Sequence, residues 1–275
     1  MTKQKKKNVL ICKNYSLEHK LYLKKVRDDK IKVRVWQFGI LAAFLLLWEL
    51  STVFGWIDSF FVSSPSRIII TFCELIGTSL LPHIGITLLE CLIGFAVSTL
   101  LGTAIAVLLW LSSTAQKISQ PYMIVLNALP KIALGPIIII WVGVGIQAIV
   151  VMAVLICIIV TVITVLEGLV ATDQNKLFLL RSMGASKLQQ LRYVVMPSSL
   201  PTIMSVIKVN IGLSWVGTIM GEYLVSSSGL GYLIIYGGQV FKIDLVMTST
   251  VVLCMLAALM YGAVALIEKI FIKER

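Results

Sequence analysis

Charge is what this sequence has least of. Only 13% of its 275 residues are Asp, Glu, Lys or Arg, while 58% are hydrophobic. A water-soluble domain of this length needs far more charge to cover its surface, so a soluble globular fold is excluded. Histidine is scarcer still, with His19 and His83 far apart. The five cysteines, Cys12, Cys73, Cys91, Cys157 and Cys254, are scattered and form no CxxC. Neither residue type is spaced to hold a metal, and most of the cysteines read as small buried filler. A membrane-embedded enzyme would need a nucleophile and base, or a metal, at matched depth, which two distant histidines do not supply. No GxxxxGK[ST] loop occurs, so the phosphate-cradling device of a nucleotide hydrolase is missing too.

Acids are outnumbered, with 13 Asp and Glu against 24 Lys and Arg and a net charge of +11. That excess suggests nucleic acid until its position is considered. Twelve of the 24 basic residues lie between Lys3 and Arg34, ahead of the first apolar run. Basic residues there are expected to anchor the chain on anionic headgroups at the cytoplasmic face. Leu17, Leu21 and Ile31 among them suggest an amphipathic helix lying on the membrane. The first apolar run lacks a small-residue cleavage site, so the tail is read as uncleaved. Residues 1–34 then form a basic cytoplasmic tail, and 35–275 a transmembrane domain.

Six apolar runs approach or exceed the roughly 20 residues that cross a hydrocarbon core. They cover about 35–54, 84–111, 122–142, 147–166, 200–220 and 245–267. The third is interrupted by Pro130, Gly135 and Pro136, and Pro65 is placed to open a short amphipathic helix through about Ile76. Six spans put both termini on one side. Of the 24 basic residues, 20 fall on that side, only Arg67 and Lys242 on the other, and Lys131 and Lys208 inside spans. The asymmetry sets both termini in the cytoplasm. The expected fold is therefore an all-α integral membrane protein with six transmembrane helices, N-in and C-in.

The long cytoplasmic loop, 167–198, carries the functional signal. Leu177, Leu180, Gly184, Leu188, Leu191 and Val195 recur at three- and four-residue steps, one face of a helix. A plain surface helix does not call for Arg181-Ser182-Met183-Gly184-Ala185-Ser186 in its middle, where small residues permit close approach by another protein. Gly184, nine residues, then Val194-Val195-Met196-Pro197 resembles the cytoplasmic-loop signature of binding-protein-dependent ABC importer permeases. The resemblance covers about residues 63–270. It includes Ser63-Ser64-Pro65-Ser66, Thr87-Leu88-Leu89-Glu90 with Gly94-Phe95, Leu129 to Leu134, Trp141-Val142-Gly143, Glu222 and Gly229-Leu230-Gly231. The likeness is to type I permeases of the branch importing nitrate, sulfonates, taurine or thiamine-pathway pyrimidines.

That resemblance implies a non-catalytic permease in a bacterial inner membrane, acting as a homodimer, coupling ATP hydrolysis elsewhere to alternating access. Two ATPase subunits, which hold ATP and magnesium, would bind inside, and a solute-binding protein would deliver substrate outside. It implies contact with the ATPase through Arg181, Ser182, Met183, Gly184, Ala185, Ser186 and Lys187, with Pro197 closing the motif. The Glu-Ala-Ala that often precedes the Gly is Phe178-Leu179-Leu180 here, so apolar docking is expected where a salt bridge is lost. Tyr236-Gly237-Gly238-Gln239 superficially resembles an ABC ATPase signature, but this topology puts it outside the cell. The alternative from another class, a secondary transporter needing no ATPase, commonly shows an internal repeat of spans, and none is seen.

Ionisable groups at membrane depth are functional candidates by default. Glu90, Lys131, Lys208, Asn210 and Trp215 are the candidate substrate-path residues, and Glu49 lies late in the first span. Glu90 and Lys208 alternatively neutralise each other, or Lys208 snorkels. Relatives often carry a basic residue where Glu90 stands. An acid lining the path suits a neutral or cationic solute unless Lys208 cancels it. Glu222 and Tyr223 are expected to face a binding protein, and Leu230 to Tyr236 to form a short re-entrant or interfacial segment acting as an outer gate.

Overall fold

Lipid offers no hydrogen-bond partners, so a chain this apolar has to satisfy its backbone within each segment. The computed structural model describes residues 17–272, and among them every regular element is helical. The first half of the basic tail, with Cys12, and the terminal Lys273 and Arg275 lie outside the described residues. The chain divides into two compact units, Met1–Ser66 and Arg67–Arg275.

In the first unit, α1 (Leu17–Val53) runs unbroken for 37 residues, followed by the short α2 (Ser59–Val62). The expected surface helix and first span are one element. Between them stand Lys, Arg, Val and Ile, none of which stops a helix, and no Pro or cap intervenes at residues 34–35. Glu49 accepts from Ser66 twice, from the backbone N–H at 3.1 Å and from Oγ at 2.7 Å. Ser66 is the second residue of α3 (Pro65–Ile76). The carboxylate thus satisfies an orphan N–H of a helix start, where a negative charge is favoured. Pro65 opens α3 as expected.

The second unit continues with α4 (Leu80–Leu111), α5 (Ser113–Ala128), a 3₁₀ turn (Lys131–Leu134) and α6 (Gly135–Val142). Then come α7 (Ile146–Val170), α8 (Gln174–Ser182) and α9 (Lys187–Gln190). A π turn (Leu191–Val195), α10 (Met196–Val225), α11 (Leu230–Gln239) and α12 (Ile243–Ile272) complete it. Five described segments are long and apolar enough to span: 24–53, 80–111, 146–170, 187–225 and 243–269. A sixth span is available only as a broken one, because α5 and the 131–142 segment meet at 84°. Pro130 explains the break. It cannot donate a backbone hydrogen bond, and it drives Leu129 to extended geometry (φ −63°, ψ 136°).

The core is a sandwich of three helices, with α7 packed against both α4 and α10. Transmembrane helices associate through close backbone approach rather than through exclusion of water, and small residues mark the seams. A Cβ on Gly94 would stand 2.6 Å from Ala153 Cβ, and one on Gly217 would stand 2.5 Å from Ala153 Cα. Ala153 is thus gripped from α4 and α10 at once. Gly221, one turn beyond Gly217, lies against Ile149 in the same way. The midpoint is tied by Asn210, whose Nδ2 donates to Thr99 Oγ1 (3.0 Å) and Thr161 Oγ1 (2.8 Å), joining all three helices.

Candidate functional site

The loop helix implied by the periodicity of 177–195 is two helices, a correction with a clear physical cause. Gly184 has φ +81°, a left-handed conformation that an L side chain enters at a cost of about 1–2 kcal/mol. The Ala185 N–H reaches back to Leu180 O (3.0 Å) and the Gly184 N–H to Arg181 O (2.9 Å), the paired bonds of a Schellman stop for α8. One residue later Ser186 starts α9 with a reciprocal capping box: the Gln189 N–H donates to Ser186 Oγ, and the Ser186 N–H donates to Gln189 Oε1. Stop and start back to back make a rigid knuckle at 183–186.

The knuckle is held from behind. Buried Gln190 accepts from Arg181 Nε (3.3 Å) and donates to Ala185 O (2.9 Å), stapling α8 to α9. Lys187 Nζ donates to Leu111 O (3.0 Å) at the C-terminus of α4, a place where a cation is favoured. Leu177, Leu191 and Val195 are buried beneath, packed with Ala106, Val165 and Leu169. Its other face is bare: Met183 is 75% exposed and Phe178 71%, with Leu179, Leu188 and Tyr193 also exposed. Leu188, which the periodicity placed on one face with Leu177, Leu191 and Val195, is among them. A Cβ on Gly184 would meet nothing within 4 Å. Of the expected contact residues, Met183, Gly184, Ser182 and Ser186 are presented outward. Arg181, Lys187 and half-buried Ala185 serve the internal ties, although Arg181 and Lys187 also line an open cleft of about 460 Å³ with Trp110, Gln116 and Gln174. Pro197 follows the π turn. A proline ring clashes with the carbonyl four residues back and lacks an N–H of its own, and a widened turn relieves both.

The opposite ends of α4 and α10 meet α11. Three backbone N–H groups at the start of α11 are received by side chains from the two spans. The Gly229 N–H donates to His83 Nδ1 (2.8 Å) and the Leu230 N–H to Thr87 Oγ1 (2.8 Å), while that of Gly231 donates to Glu222. Thr87 in turn donates to Glu222 Oε1 (2.6 Å). Glu222 is therefore 1% exposed and is no surface contact for a binding protein, contrary to the sequence reading. Tyr223 beside it is half-buried. The re-entrant segment expected at 230–236 is the helix α11.

The charges at membrane depth pair differently from expectation. Lys208 bonds Glu268 on α12 at 2.7 Å, not Glu90. Glu90 is buried and lies beside Glu222, and its Oε2 has no hydrogen-bond partner among the described residues. Lys131 Nζ donates to Asn127 O across the bend (3.2 Å). Asn210 and Trp215 are buried inside the bundle. Of the five substrate-path candidates, only Lys131 and Lys208 reach the surface of one chain. Buried inside the single chain, Glu90 exposes no charge from which to argue the sign of the solute. His83 and Thr87 were missed as functional candidates; the available signal was Gly-Leu-Gly placed seven residues after an acid at the end of a span.

Residues 94–273 match the family described as binding-protein-dependent transport system inner membrane component. A probable ABC transporter permease protein of Haemophilus influenzae is 28% identical, over 82% of this chain and 91% of that protein. A putative aliphatic sulfonates transport permease of Bacillus subtilis is 26% identical, over 87% and 88%. A formylaminopyrimidine transport permease of Halalkalibacterium halodurans is 27% identical, over 84% and 92%. Among solved structures, the inward-facing MetNI methionine ABC transporter covers 72% of this chain and 96% of its own, with TM-score 0.58 and 21% identity; that likeness is one of fold.

Proposed function

The chain belongs to the family of binding-protein-dependent transport system inner membrane components, and from that membership we propose that its knuckle is where ATP hydrolysis is coupled to transport. The chain is a multi-pass inner-membrane permease subunit of an ABC importer, of a family whose permeases are in general non-catalytic and work with an ATPase and a binding protein. Our reading adds that 183–186 docks in a cleft of the ATPase, which holds ATP and magnesium. Two copies of the permease form the pathway, and two ATPase subunits serve them. Alternating access follows, with nucleotide binding opening the dimer outward and hydrolysis resetting it.

One observation carries this: an apolar, outward-facing turn fixed by a helix stop and a capping box, on a chain with no phosphate-binding loop of its own. Bare apolar groups at an aqueous face mark a protein contact. The solute is proposed to be small and polar: a sulfonate, taurine or a pyrimidine, in line with the relatives' names, or nitrate. Met183→Asp tests the docking. Burying a carboxylate in place of an apolar anchor is expected to cut co-purification of the ATPase at least about tenfold, with thermal unfolding of the permease unchanged. Undiminished co-purification would remove the knuckle from the interface.

A further inference from the structure

The outer junction is built with more care than a loop needs. A helix start leaves four N–H groups without partners, and one capping side chain commonly satisfies one or two of them. At α11 the N–H groups of Gly229, Leu230 and Gly231 are all received, by His83 and Thr87 from α4 and by Glu222 from α10. The clearance is also minimal. A Cβ on Gly229 would fall against the Glu222 carboxyl, and one on Gly231 would lie 2.7 Å from its Oε2. Tyr232 stacks on His83 with ring centroids 6.1 Å apart. The same two helices begin or end at the knuckle: Leu111 closes α4 above Lys187, and α10 follows the π turn from α9.

We propose that His83, Thr87 and Glu222 are positioning residues that clamp α11 to α4 and α10, so that the three move as one body when the importer changes state. Thr87 is the centre of the clamp, since its hydroxyl accepts from α11 and donates to Glu222 on α10, locking both spans to the same helix start. Removing Glu222 would leave the Gly231 N–H of α11 buried without its partner and the Thr87 hydroxyl without its acceptor on α10, a state the helix relieves only by moving. The outer mouth is then set by the spans and not by independent flapping of α11. The inference rests on the coupling role above only for what drives the motion.

Spin labels at Gly85→Cys on α4 and Gly238→Cys on α11 report on it, since a Cβ at either position meets nothing within 4 Å. Cys12, Cys73 and Cys254 are replaced by serine beforehand. The inter-label distance is expected to be single and narrow in the permease alone, and unchanged between nucleotide-free and ATP–vanadate-trapped states of the assembled importer. Thr87→Val, which keeps the shape and loses the hydroxyl, is expected to broaden the distribution about twofold, and Thr87→Ser to restore it. A distance that shifts with nucleotide in the parent, or a Thr87→Val distribution as narrow as the parent's, overturns the clamp. Failure of ATPase docking appears in the co-purification and leaves the distribution in the permease alone untouched.

Discussion

Gly217→Ala is expected to lower the unfolding temperature of the detergent-solubilised chain sharply, at a cost of about 3 kcal/mol. The new methyl would stand 2.5 Å from Ala153 Cα and 3.1 Å from its backbone nitrogen. Backbone in the middle of α7 cannot swing aside as a side-chain tip can. Nor can α7 back away, because Ala153 is held on its other side by Gly94. The helices would have to part, giving up the close contact that associates them in lipid. Gly212→Ala is the control on the same helix. Nothing lies within 4 Å of its added Cβ, and removing a mid-helix glycine is worth up to about 1 kcal/mol in favour of the folded state. Unfolding followed by tryptophan fluorescence should therefore move in opposite directions for the two variants. Equal shifts would show that the glycine seam is not what holds α10 to α7.

Gly184→Val is expected to reduce ATPase co-purification more than about tenfold, a 1.4 kcal/mol effect or larger, while the permease stays folded. A β-branched residue is a poor occupant of φ +81°, and the conformational cost alone is about 1–2 kcal/mol. The chain can escape it by unwinding the Schellman stop, which moves Met183 and Ser186 out of place. Gly184→Asn separates conformation from bulk, because asparagine enters the left-handed region more readily than other side chains. Retention of most of the ATPase by the asparagine variant, and loss by the valine one, identifies the turn as the requirement. If both fail alike, free space at the partner's surface is decisive and the conformational account is wrong.

The sequence was legible wherever a residue acts on its own neighbours. Pro65 marked the start of α3 and Pro130 the break of the third span. These are local effects of a fixed φ or a missing donor. What depended on the depth and rotation of one helix against another was not legible. Glu90 and Lys208 look like natural partners as opposite charges in apolar spans. Yet Glu90 lies beside Glu222, and Lys208 lies 14 residues earlier on α10, about 21 Å down the axis. The coupling motif shows the mixed case. Its spacing located the knuckle, but the period of apolar residues ran straight through it. Only the positive φ at Gly184 and the Ser186 capping box divide α8 from α9.

The length of α10 has a mechanical meaning. Its 30 residues, with Pro201 near its start, run about 45 Å and are entered through the π turn 191–195. A rod that long works as a lever. A tilt of about 5° at the inner end sweeps the outer tip through about 4 Å, close to the width of a methyl group. On the proposed coupling, a small tilt at the knuckle end is expected to appear magnified at the opposite end of α10.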